Sequence, residues 1–269
     1  MCELLSLNFN RQINPVFSFV GLLSESTYHA DGWGLAYYPD NGPSAAVFKE
    51  AVAGYESELA SFLASYRAMK SRIFLSHIRK ASAGSLAHSN CHPFTRYFQG
   101  SEWTFCHNGT LHDYPSTRKG LSYHPVGKTD SEFAFCKLLS EMKKRKITAS
   151  TKSNHRFTRS KLLDVHELLI EINDFGGGSF NCIFSNSEYV FAYRDFRGAR
   201  PLYFLKREYP FETTRIRDSE IEIDLNLIKN DSAYGYIVAS DHLTDEAWTS
   251  FSPGQLIVFK NGKIVADLK

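Results

Sequence analysis

The chain has 269 residues, 43% of them hydrophobic and 22% charged, with a formal net charge of +2. That length and apolar content support a sizeable core and exclude general disorder, while the near-neutral balance excludes a global pull toward nucleic acid or an acidic surface. Five cysteines, an odd number without a CxxC pair, argue against a disulfide framework and for a reducing compartment; the apolar runs are too short to span a membrane and no signal segment opens the chain, so a soluble, cytoplasmic protein is expected.

Residues 2–9 alternate well enough to form a strand, and residues 14–23 are mixed, with room for a short helix. Asp31-Gly32-Trp33-Gly34 leads into a strand at 35–38, Pro39-Asp40-Asn41-Gly42 is a turn, and residues 45–52 return as the second arm of a hairpin. Residues 56–69 carry Leu59, Phe62, Leu63 and Tyr66 at helical spacing. Strands follow at 72–78, ending at Arg79, and at 102–107, ending at Asn108-Gly109. That dipeptide is first of all a turn signal. Thr129 caps a helix reaching about Lys144, with Glu132 placed for a capping box.

Between residues 143 and 161 stand eight Lys or Arg residues and no acid. A solvated loop or insertion is expected there, in preference to a contact for an acidic partner; with little aromatic interleaving, nucleic-acid binding is not expected. Residues 162–175 return to helical periodicity and end at Gly176-Gly177-Gly178, which opens no helix and so is no dinucleotide fingerprint. Strands are expected at 180–185, 189–193, 202–205, 234–240, 255–259 and 263–266, the last two joined by an Asn261-Gly262 turn. No repeat or linker divides the chain. The reading is an α+β domain over residues 1–269, with layered sheets and helices outside. No complete Cys/His set of zinc spacing occurs, so neither metal nor cofactor is expected.

Chemistry concentrates at the N-terminus. Cys2 follows the initiator methionine, and removal of Met1 leaves a thiol and a free α-amine on one residue. The thiolate is the nucleophile, and a neutral amine beside it can serve as its base. The bland alternative is a small buried residue starting a strand. Partners tip the balance: acyl transfer needs an oxyanion hole and a grip on the acyl donor. His77-x-Arg79-x-Ala81-Ser82, Asn90-x-His92-Pro93, His107-Asn108-Gly109 and Thr129-Asp130-Ser131-Glu132 offer both.

In order and spacing these motifs resemble the class II glutamine amidotransferases, which are N-terminal nucleophile hydrolases. Asp31-Gly32-Trp33-Gly34 and Ala239-Ser240-Asp241-His242-Leu243-Thr244 resemble the free-standing branch of γ-glutamyl amidohydrolases. The resemblance spans nearly the whole chain and implies a four-layer αββα sandwich. It implies Cys2 as nucleophile, with the Asn108 carboxamide and the Gly109 N–H as oxyanion hole. It further implies Arg79, assisted by Ser82, on a substrate α-carboxylate, Asp130 on the α-ammonium, and His107 in the substrate site, with His92 a weaker candidate. Lys80 and Ser82 stand where the synthetases often have Trp and Thr, Ala83 where His is frequent, and His242 where the free-standing branch commonly has Pro.

The expected activity is hydrolysis of a γ-glutamyl amide, glutamine or a larger γ-glutamyl compound, through a γ-glutamyl thioester. Ammonia released from glutamine would pass to a separate synthase chain, and a separate synthase or hydrolase subunit is the partner to be expected. The alternative is a silent binding or scaffold protein that keeps the fold, which persistence of Met1 would favour.

Overall fold

The structure is a computed structural model that describes residues 2–15, 31–81, 84–114, 120–148, 156–209, 214–215, 222–223 and 232–269. The expected helix at 14–23 therefore falls largely outside the described residues, as do Met1, Ser82 and part of the basic stretch.

Two antiparallel sheets carry the fold. The strands in chain order are β1 (Glu3–Ile13), β2 (Trp33–Tyr37), β3 (Ala46–Glu50), β4 (Ser71–Ile78), β5 (Phe94–Phe98), β6 (Ser101–Thr110), β7 (Ser179–Ser185) and β8 (Tyr189–Tyr193). They continue with β9 (Tyr203–Glu208), the small pair β10 (Thr214–Arg215) and β11 (Glu222–Ile223), then β12 (Tyr234–Ala239), β13 (Thr249–Ser250), β14 (Leu256–Lys260) and β15 (Lys263–Leu268). One sheet has the order β13-β9-β12-β1-β4-β2-β3, the other β15-β14-β8-β7-β6-β5. The helices are α1 (Glu58–Ser65), α2 (Asp130–Lys144) and α3 (Arg159–Gly176).

The two-residue period of the strands sorts side chains into three cores. Leu5, Leu7 and Phe9 of β1 point outward to the layer that contains α1. Leu4 points the other way, into an inter-sheet core with Leu75, Val238, Cys106 and Ile183. On β6, Trp103 and Phe105 face α2 and α3. The result is the four-layer αββα sandwich that the resemblance implies. Tyr38 ties the sheets together: its buried hydroxyl reaches Glu102 O at 3.0 Å, Thr104 Oγ1 at 3.1 Å and Ser185 O at 3.0 Å.

Four local expectations need correction. The helix at 56–69 is shorter, with Ser57 as N-cap and only Glu58–Ser65 helical. It buries Ala60 and Leu63, while Phe62 and Tyr66 are exposed and stack at 5.2 Å. Asn108-Gly109 is no turn, because β6 runs on through Thr110 and pairs Asn108 with Asn181 of β7. The capping box at α2 is half made: Thr129 accepts from Glu132 N, but the Glu132 carboxylate takes Val126 N, Gly127 N and Arg96 instead. Residues 143–161 are not one loop. Lys143 and Lys144 lie in the last turn of α2, where exposed carbonyls favour cations, and α3 begins at Arg159.

Candidate active site

Cys2 lies just before β1, and the register Glu3↔Ile78, Leu4↔His77, continued by one residue, sets it opposite Arg79. Its thiol donates to Lys80 O at 3.1 Å and accepts from Lys80 N at 3.2 Å. Burial pushes the thiol pKa up, against the opposing pull of the Lys80 backbone bond and of the N-terminal and Arg200 charges. The start of β1 is fastened by Ser240: Leu4 N donates to Ser240 Oγ at 2.8 Å, Ser240 N to Leu4 O at 3.1 Å, and Ser240 Oγ to the Glu3 carboxylate. The Ala239–Thr244 motif thus holds the strand that carries the cysteine.

Asn108 approaches from the other sheet. Its Nδ2 donates to Cys2 O at 2.6 Å. A carboxamide nitrogen carries two hydrogens, so one N–H remains for another acceptor. At Gly109 a Cβ would stand 2.0 Å from Ser179 O and 2.6 Å from His107 Nε2. Only glycine admits β7 this closely.

Arg79 is 3% exposed, with its guanidinium ringed by carbonyls: Asp31 O at 3.3 Å, Ser85 O at 3.4 Å and Gly84 O at 3.5 Å. These three contacts are long. The Asp31 carboxylate shapes the adjoining loop by accepting from Ala81 N at 2.7 Å. Ser82 lies outside the described residues.

Asp130 is the first residue of α2, buried, and its Oδ2 accepts from Leu111 N at 2.8 Å. His107 Nε2 faces Ser179 O at 3.2 Å and Nδ1 meets Ser131 Oγ at 2.8 Å. A carbonyl can only accept, so Nε2 carries a proton. Burial lowers the His107 pKa, while Asp130 opposes that shift. His92 packs on His77 at 4.0 Å and on Phe94 at 4.5 Å, with both ring nitrogens buried and unbonded. Burial, with His77, His107, Lys49 and Arg79 around it, holds its pKa well below the usual histidine range. His88 and His92 are four residues apart, yet among the described residues no group of three or more His, Cys, Asp or Glu converges to hold a metal. All five cysteines are free thiols. Among the described residues no helix is long and apolar enough to cross a membrane.

The structure adds a loop that the sequence did not point to. Asn181, opposite Asn108, accepts from Asp195 N at 2.8 Å and donates to Pro201 O at 2.9 Å and Arg200 O at 3.4 Å. Asp195 Oδ2 accepts from Ala199 N at 3.0 Å, closing the turn. The fastened loop brings the positive charge of Arg200 to bear on both Cys2 and His107. Cys2, Arg79, Asn108, Gly109, His107 and Asp130 thus gather at one end of the paired sheets, with His92 beside them.

Comparison with known proteins bears on the family of the chain. The family model "Glutamine amidotransferases class-II" matches residues 1–269. The uncharacterized Methanocaldococcus jannaschii protein MJ1515 is 42% identical over 269 residues, which is 100% of this chain and 72% of that protein. YafJ of Escherichia coli, provisionally named a glutamine amidotransferase, is 33% identical over 98% of this chain and 100% of its own length. Among solved structures, a predicted glutamine amidotransferase of Pseudomonas aeruginosa superposes with a TM-score of 0.69 at 27% identity, covering 98% of this chain and 100% of that one. The chain belongs to the class-II glutamine amidotransferases.

Proposed function

We propose that the protein hydrolyses a γ-glutamyl amide through a thioester on Cys2. The observation that carries this reading is the thiol held on the Lys80 backbone, across the strand pair from Arg79, with the Asn108 carboxamide on its own carbonyl. Met1 is first removed. The thiol proton then passes to the neutral α-amine of Cys2, and the thiolate attacks the γ-carbonyl carbon. The carbonyl oxygen becomes an oxyanion met by the second Asn108 N–H and the Gly109 N–H. Collapse breaks the C–N bond, and the leaving amine takes the proton from the α-ammonium. Water, deprotonated by the same amine, cleaves the thioester and releases glutamate.

In this reading Arg79 binds the α-carboxylate, with Ser82 assisting, and Asp130 binds the α-ammonium. Opposite charges fixed at one separation suit the two ends of an amino acid. Holding that end places the carbonyl at the thiolate, where orientation lowers the barrier by several kcal/mol, roughly. His107, already bonded through both nitrogens, sets the position of α2 and so of Asp130. When glutamine is the substrate, ammonia passes to a separate synthase chain.

The test is a hydrolysis panel of glutamine, a γ-glutamyl dipeptide, and versions lacking the α-amine or the α-carboxylate, combined with intact mass. The expected outcome is turnover of the complete substrates only, by Met1-free protein, and none by Cys2→Ala. Arg79→Lys and Asp130→Asn each lower kcat/KM sharply with little change in stability. Full activity in protein that retains Met1, or equal cleavage of the truncated substrates, would sink this reading.

A further inference from the structure

The far end of the sandwich holds a second feature. An open cavity of about 920 Å³ is lined by Arg11, Arg72, Arg156, Arg159, Lys260 and Lys263, with Asp267 the only acid among its described lining residues. It lies near the opposite end of β1 from Cys2, roughly 25–30 Å away at about 3.3 Å per strand residue. In a chain of net charge +2, six cations around one space is a strong local concentration, and like charges gathered without counter-charge repel.

Among the described residues the counter-charge is mostly missing. Lys260 pairs with Glu188 at 2.6 Å and lies over the Tyr189 ring at 4.2 Å. Arg11, Arg72, Arg156, Arg159 and Lys263 pair with no carboxylate among the described residues. The Asp267 carboxylate is engaged by Gln255 Nε2 at 2.7 Å. Arg72 is pre-set: neutral oxygens hold it, Asn41 Oδ1 at 2.9 Å and Asn261 Oδ1 at 3.0 Å, which fix the guanidinium without neutralising it. The lining comes from separate segments of chain, so sequence adjacency does not explain the clustering. The first turn of α3, which contributes Arg159, has no acid to offset its positive end.

We propose that this cavity is a binding site for a polyphosphate-bearing anion, separate from the Cys2 centre. Four of the six cations are arginines, whose planar forks match phosphate oxygens two at a time. The volume exceeds what a single phosphate fills, so a chain of phosphoryl groups is favoured over inorganic phosphate. An open mouth admits such a ligand without movement of the sheets. The basic stretch at 143–161 thereby acquires a role in its C-terminal part, through Arg156 and Arg159.

The experiment is titration calorimetry of the full chain with inorganic triphosphate, with an octaglutamate peptide as competitor. Two charge reversals, Arg156→Glu/Arg159→Glu and Arg11→Glu/Lys263→Glu, change exposed side chains and leave Cys2 and its neighbours untouched. The expected result is saturable one-to-one binding that weakens with added salt. Each double variant binds at least tenfold more weakly while keeping the melting temperature of the ligand-free protein and its rate of Cys2 alkylation. Absence of saturable binding overturns the proposal. So does binding unchanged in both variants, and so does octaglutamate binding more tightly than triphosphate, which would make the cavity a docking surface for an acidic protein segment.

Discussion

At the scale of single residues, the reactivity of Cys2 is a balance between burial and nearby donors. Burial raises its thiol pKa, and the Lys80 amide, the N-terminal charge and Arg200 pull it back. Removing one of the cations should move the balance measurably. Arg200→Gln is expected to shift the pH profile of iodoacetamide alkylation at Cys2 toward higher pH, because the thiolate loses a favourable charge while its solvation is unchanged. A profile identical to the parent protein would show that Arg200 does not act on the thiol. Asn108 has a different part. Asn108→Ala is expected to lower kcat by about 10²–10³, the usual effect of one preorganised donor. Circular dichroism should be preserved, since Asn108 Nδ2 makes one bond, to Cys2 O, and the strand keeps its backbone pairing.

At the scale of elements, the site depends on how closely β6 meets β7 and on how α2 begins. Gly109→Ala puts a methyl 2.0 Å from Ser179 O, and backbone cannot retreat as a flexible side chain can. Overpacking of this kind costs about 1–3 kcal/mol or more. Urea unfolding should therefore show a lower midpoint, and activity should fall through displacement of both Asn108 and His107. Thr129→Ala removes the bond from Glu132 N at the head of α2. A lost cap costs about 1 kcal/mol, and because Asp130 is the first residue of that helix, KM should rise more than kcat falls. Equal stability of Thr129→Ala and the parent in urea would show that the network of Glu132 with Arg96, Val126 and Gly127 holds the helix start unaided.

At the scale of the whole molecule, two histidines buried beside the site, both with lowered pKa, link folding to pH. Both His92 and His107 have pKa values below the ordinary 6.5 in the folded state, chiefly through burial. The unfolded chain therefore binds protons that the folded chain refuses. Their contribution to stability is complete above about pH 6.5 and is lost as pH falls below it, by at most about 1.4 kcal/mol per pH unit for each histidine. His92 should dominate, since His77, His107, Lys49 and Arg79 are all cationic or can become so, whereas Asp130 and Asp195 favour the charged form of His107. Urea unfolding at pH 7.5 and pH 5.5 is expected to show the loss, and His92→Phe to reduce it. An undiminished slope in His92→Phe would assign the effect to other groups.

Much of this protein was legible in its sequence because the signals involved are local. Alternation in residues 2–9, the Thr129 cap, the Asn261-Gly262 turn and the order of the strands depend on neighbours a few residues apart. The motifs around Cys2, Arg79, His107-Asn108-Gly109 and Asp130 were legible as residue types, and their convergence follows from strand order. What the sequence could not decide rests on contacts between distant segments. Asn108-Gly109 has the composition of a turn, yet it stays in a strand because β7 supplies a full set of partners and Ser179 approaches where only glycine fits. Phe62 and Tyr66 share a helical face by spacing, but α1 presents Ala60 and Leu63 to the sheet instead. Arg200 and Asn181 carry no local mark. The charge of Arg200 bears on Cys2 only because two sheets stack and Asn181 pins a loop across their end. The basic cavity is the same case at larger scale, since its cations are scattered through the chain and become one field only when the sandwich closes.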